Sequence, residues 1–92
     1  MNFQQKSELL AALSNPLRLK ILGLLTKEEQ LSISSIANQL GATAKDRSNI
    51  NQAVQKLYTN DILILHGENR NNRTYSINKE KITELMELLQ TL

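Results

Sequence analysis

Between Thr43 and Asn60 the sequence TAKDRSNINQAVQKLYTN sets amides, hydroxyls and bases at helical spacing. With Ile50 as the inward direction and about 100° of rotation per residue, Lys45, Ser48, Gln52, Gln55, Lys56 and Thr59 turn outward, and Asn49 and Asn51 lie on the flanks. Primary amides pair bidentately with a base edge, and ammonium groups attract phosphate. No carboxylate interrupts the set, whereas a face built only for solvent is usually laced with Glu/Lys pairs one turn apart. The chemistry this predicts is groove recognition of a nucleic acid. An uncharged, merely solvated face in an Asn/Gln-rich sequence is the plainer alternative.

Such a face needs a helix behind it and a holder for that helix. Ile50, Ala53, Val54 and Leu57 fall at i, i+3, i+4 and i+7, one inward stripe. Its start is open: Thr43 to Asp46 fits a capping box, and Asp46 also fits an N-cap with Ser48 and Asn49 in the first turn. Asn60 is expected to stop the helix in a left-handed conformation. Upstream, Leu31 to Ile33 suits a very short strand and Ser34 an N-cap. Ile36, Ala37 and Leu40 form the inward face of a short helix that Gly41 closes. A short helix, a glycine turn and a longer amphipathic helix make a helix-turn-helix pattern.

The remaining segments read as supports. Residues Asn2 to Leu13 form a first helix, with Leu9, Leu10 and Leu13 as contacts and Phe3 as an anchor. Asn15 then caps a second helix with Pro16 in its first turn, and its broad stripe of Leu17, Ile21, Leu24 and Leu25, widened by Leu19 and Leu22, predicts burial. Ile62 to His66 and Thr74 to Ile77 make a hairpin around a polar turn at Arg70. Asn78 caps a terminal helix with Ile82, Leu85, Met86, Leu89 and Leu92 on one stripe and Leu88 beside it.

Composition narrows the functional classes. The 92 residues suffice for one small domain spanning 1–92. Aromatics make up 3%, so the core is aliphatic and small, and dimerisation is a common remedy for the marginal stability that results. With no cysteine, disulfides, thiolate metal sites and cysteine nucleophiles are excluded, and a reducing cytoplasmic location fits. No apolar run has the length to span a bilayer, so no membrane partner is expected. His66, the single histidine, has no partners for catalysis or metal, and no nucleophile elbow or phosphate-cradling glycine loop supports an enzyme. The net charge of +2 is modest, but from Lys45 to Ser76 five bases face three acids, while from Ile77 onward two bases face three acids.

Specific residues then match a known family. The run Leu13 to Leu22, LSNPLRLKIL, resembles the ArsR-type repressors' "LxDPTRLRIL" signature, and Leu31 to Gly41, LSISSIANQLG, is similar to their "LSVSELAEXLG" segment. Ile50 to Leu63 resembles the family's "VSxHLxxLxxxGLV", and Tyr75 with Ile77 its "YxL". The resemblance implies a mainly α fold with a small β-hairpin wing, a winged helix-turn-helix, dimeric through its terminal helices. It also implies a sequence-specific double-stranded DNA-binding transcriptional regulator, a repressor in type, acting at a pseudo-palindromic site.

On that reading Ser48, Asn49, Asn51, Gln52 and Gln55 read bases. Lys45, Arg47, Lys56, Arg70 and Arg73 hold phosphates or, for the wing, the minor groove. Leu9, Leu10, Leu13, Ile82, Leu85, Met86 and Leu89 form a homodimer seam. Two departures qualify the match. The span from Gly41 to Ile50 is longer than the family's usual turn, which leaves open whether Lys45 and Arg47 sit on the helix or before it. The family's metal sensors use cysteine pairs or His and acidic ligands that this chain lacks, so no metal and no other cofactor is expected. A protein-interaction module of the same fold without DNA is the alternative. A binder of left-handed nucleic acid is a minor one, since Gln55 stands where such proteins have tyrosine, and their wing tryptophan is absent.

Overall fold

The computed structural model describes residues 2–90, so Leu92, expected on the terminal stripe, lies outside the described residues. Four of the five helices start where a side chain satisfies free N–H groups that an α-helix leaves at its N-terminus, and α4 is the exception. Helix α1 runs Phe3–Leu13 and opens with a reciprocal capping box: the Gln5 N–H donates to Asn2 Oδ1 at 2.8 Å, and the Asn2 N–H donates to Gln5 Oε1 at 3.1 Å. Helix α2, Pro16–Lys27, begins as expected, with Asn15 Oδ1 accepting from the N–H groups of Leu17 and Arg18. Arg18 also reaches back to cap the preceding helix, its guanidinium donating to the carbonyls of Ala11 at 3.4 Å and Ala12 at 3.2 Å. The two helices meet at a bend of 82°.

Helix α3 spans Ile33–Gln39. Its N-cap is Ser32, whose hydroxyl accepts from the Ser35 N–H, and not Ser34 as the sequence predicts. The expected strand shrinks to Leu31, which exchanges both backbone hydrogen bonds with Tyr75, and Ile33 is already helical. Two serines within one turn offer competing caps, and the bridge from Leu31 to the hairpin selects the earlier. Gly41 has φ +66°, the left-handed conformation expected of it.

Helix α4, Arg47–Thr59, ends one residue later in its logic than the sequence suggests. Asn60 stays right-handed as the C-cap, and Asp61 takes the left-handed position with φ +60°. The Asp61 N–H donates to Tyr58 O and the Ile62 N–H to Leu57 O, a Schellman closure that buries Ile62 with Leu57. Strands β1, Leu63–His66, and β2, Thr74–Ile77, pair antiparallel with Leu63 opposite Ile77 and His66 opposite Thr74. A single 3-10 turn at Arg70–Asn72 forms the tip. Gly67 is required before it, because a Cβ there would stand 2.5 Å from the Asn72 carbonyl oxygen. Helix α5, Lys79–Gln90, is tied to the end of α4 by Asn78, which donates to Asp61 O from its side chain and to Ile62 O from its backbone.

One cluster of buried residues joins all five helices and the hairpin, with α4 at its centre through Ile50, Ala53, Val54 and Leu57. This is a winged helix-turn-helix: mainly α, with a two-stranded wing. Two apolar expectations change. Phe3 is no anchor, being 88% exposed, and Ala12 takes the inward position on α1. Leu19 projects from α2 into solvent. On α5 the buried pair is Leu85 and Leu88, while Met86 and Leu89 are more than half exposed. Among the described residues no single helix has the length and apolarity to cross a membrane.

Candidate nucleic-acid interface

The helix-turn-helix presents α4 because its apolar side is fully used inside. Ile50, Ala53, Val54 and Leu57 are buried against α2, α3 and β1, so every remaining position of the helix faces out. Ser48, Asn49, Asn51, Gln52, Gln55 and Lys56 are all exposed. The extra residues before the helix form a turn rather than an additional helical turn. The Asp46 N–H donates to Thr43 O, and the Asp46 carboxylate accepts from both the Thr43 N–H and its hydroxyl, at 3.4 and 3.0 Å. Asp46 therefore holds the N-cap position without capping the helix. Lys45 lies in this turn, and Arg47 is the first helical residue. The Arg47 guanidinium donates to the Ser34 hydroxyl, joining the two helices of the motif at their N-terminal ends.

The outward residues divide into two flanks. Asn51 and Gln55 face the wing, and with Ser32, Ser34, Arg70, Asn71, Arg73 and Tyr75 they line an open groove of about 690 Å³. On the other flank Asn49 lines a smaller recess of about 220 Å³ with Lys20, Leu40 and Asp46. Ser48 and Gln52 lie on the crest between the flanks by helical rotation. Four of the expected site residues, Asn51, Gln55, Arg70 and Arg73, thus share one groove, and Asn49 lies apart from them. Among the described residues none of Lys45, Arg47, Lys56, Arg70 and Arg73 is in an ion pair, which leaves their charge available to an anion.

The sequence reading missed Ser32, Ser34, Asn71 and Tyr75 as lining residues. Ser34 had been spent as a cap, and Asn71 differs from its polar neighbours only by its place at the wing tip. Tyr75 was placed by the hairpin alternation, but its hydroxyl crosses the groove floor to Gln55 Nε2 at 3.3 Å, a contact between residues distant in sequence. Tyr58 packs edge-on against the Tyr75 ring, centroids 6.3 Å apart. His66 is half-buried, with Nε2 2.7 Å from Ser76 Oγ across the hairpin.

The terminal helices divide their apolar residues between the core and the surface. Leu9 and Leu85, expected in it, are each 3% exposed and belong to the protomer's own core, which corrects their assignment. Leu10, Leu13 and Ile82 are partly buried at the core's edge, and Met86 and Leu89 stand outside it. Ile82, Met86 and Leu89 follow one line along α5, and Ile82 also lines a groove of about 750 Å³ of mixed character, with Leu22, Leu25 and Ile77 beside Glu29, Gln30 and Lys79. Among the described residues no group of three or more His, Cys, Asp or Glu is placed to hold a metal ion.

No family model and no curated protein matches the sequence. Solved structures do match. The transcriptional repressor PagR of Bacillus anthracis is 28% identical, with 94% of this chain and 93% of that one covered and a TM-score of 0.73. The homodimeric winged helix-turn-helix DNA-binding domain of a possible ArsR-family transcriptional regulator from Mycobacterium bovis is 26% identical over 96% of this chain and 77% of that one, with a TM-score of 0.73. An ArsR family transcriptional regulator at 22% identity covers 99% of this chain and 89% of its own, with a TM-score of 0.80, a likeness of fold alone. PagR is described as a transcriptional repressor, and the M. bovis domain as a DNA-binding one from a possible transcriptional regulator.

Proposed function

We propose that the chain is a dimeric transcriptional regulator of the ArsR type, a repressor, that binds a pseudo-palindromic site in double-stranded DNA and senses no metal. The observation that carries this reading is the exposed side of α4: amides, a hydroxyl and unpaired cations continuous with the arginine-bearing wing. The likeness to PagR, a repressor, and to a homodimeric DNA-binding domain supports it. In this reading α4 enters the major groove, where Ser48, Asn51, Gln52 and Gln55 meet base edges, with Asn49 toward the flank. Lys45, Arg47 and Lys56 meet phosphates, and Arg70 and Arg73 bring the wing to the backbone or minor groove. The whole chain, 1–92, serves as one DNA-binding domain at work in the cytoplasm.

The dimer would be two-fold, through the outer flank of α1 and α5: Leu10, Leu13, Ile82, Met86 and Leu89, with Phe3 added. Two copies of α4 would then lie about 34 Å apart, one turn of B-DNA. The test is a salt series on duplex DNA selected from a random pool. Affinity is expected to fall linearly on a log–log plot, by about 0.9 of a unit per phosphate neutralised. Affinity indifferent to salt would overturn the proposal.

A further inference from the structure

We infer that Tyr75 is a positioning residue for base reading: its hydroxyl fixes the side-chain amide of Gln55 so that the free edge of that amide meets one base. The inference rests on the proposed DNA reading and adds a wing residue that holds a reading residue from behind. Tyr75 is 3% exposed, yet it lines the groove between α4 and the wing. Its position is fixed from three directions. Its backbone N–H and carbonyl both bond to Leu31, at 2.8 and 3.1 Å, locking β2 to the entry of α3. Its neighbour Thr74 donates to the Gln30 side chain, and its ring meets Tyr58 edge-on. A tyrosine so constrained delivers its hydroxyl to one place.

At that place it accepts a hydrogen bond from Gln55 Nε2 at 3.3 Å. A primary amide has two N–H donors and one carbonyl acceptor. One donor spent on Tyr75 leaves the carbonyl oxygen and the second N–H, the pair that meets an adenine edge bidentately, the oxygen accepting from N6–H and the N–H donating to N7. A glutamine in solvent samples several rotamers and must give that freedom up on binding. Held by Tyr75, Gln55 has already lost part of it. Asn51 and Gln52 have no such bond among the described residues, so the effect is confined to the base pair that Gln55 meets.

The experiment compares wild type, Tyr75→Phe, Gln55→Ala and the double variant on the selected duplex and on every single-base-pair change of it. Tyr75→Phe is expected to lower discrimination about threefold to tenfold at the one base pair that Gln55→Ala also relaxes, the scale of one hydrogen bond. Other pairs and the salt slope should stay as in wild type, and the double variant should match Gln55→Ala. Full discrimination in Tyr75→Phe, or a uniform loss at every pair, would overturn the inference. A second readout needs no DNA: the Gln55 side-chain amide in the free protein should show higher NMR order in wild type than in Tyr75→Phe. Equal order would also overturn it. If wild type binds DNA without sequence preference, the failure lies with the DNA reading itself, and the positioning role falls with it.

Discussion

Two surfaces of this molecule are exposed for different reasons. On α4 the outer face is polar, so leaving it in water costs almost nothing, and exposure by itself does not point to a partner. What singles it out is composition: amides and cations that form no ion pair among the described residues, with Asp46 turned back onto Thr43. On α1 and α5 the outer flank is apolar. Phe3 at 88%, Met86 at 57% and Leu89 at 53% exposure forfeit burial that would contribute roughly 1.5 to 3 kcal/mol for each large side chain. That cost argues for a covering surface, and a second copy of the chain is what we propose. The polar face is read by chemistry and the apolar flank by thermodynamics.

The largest expected effect separates the two. Met86→Glu with Leu89→Glu places like charges on both sides of a two-fold seam while leaving the buried Leu85 and Leu88 in place. Light scattering should give a monomer of unchanged helix content, with DNA affinity lower by about a hundredfold to ten-thousandfold through lost avidity. A monomer that binds as tightly as wild type would show that the apolar flank has no part in DNA binding. Gln52→Ala comes next. It lies at the crest of α4, away from every core contact, so melting temperature should hold. Discrimination at one base pair should fall by roughly 1 to 3 kcal/mol in a competition assay. Arg70→Ala is smaller in another sense: it should weaken all sequences alike and reduce the salt slope by about one unit.

Much of this was legible because local chemistry decided it. Asn15-Pro16 has one good reading, as cap and first turn, and the structure has it. The inward stripe of α4 was complete enough that burial followed from spacing alone. Where two residues offered the same chemistry, tertiary structure chose. Ser32 outcompeted Ser34 because Leu31 is pinned to Tyr75, and Asp61 became left-handed in place of Asn60 because Ile62 had to reach Leu57. On the terminal helix the periodicity admits Met86 or Leu88 at the core's edge, and the structure buries Leu88 and leaves Met86 exposed. The contact between Tyr75 and Gln55 was beyond pattern reading altogether, since it depends on where the wing folds back over α4.

The smallest effect is the control for both surfaces. Asp61 holds φ +60° at the end of α4, a conformation that costs an L-residue about 1 to 2 kcal/mol, though Asp bears it better than most. Asp61→Gly removes that cost and keeps the backbone donation to Tyr58 O and the carbonyl that Asn78 bonds. Glycine also has more freedom to lose on folding, which offsets part of the gain. Thermal unfolding should therefore shift upward by no more than about 0.5 kcal/mol, with oligomeric state, base preference and salt slope unchanged. Asp61 belongs neither to the polar strip nor to the apolar flank. If this variant alters DNA affinity, the hinge between α4 and the wing is part of the reading surface, and the division into two surfaces must be redrawn around it.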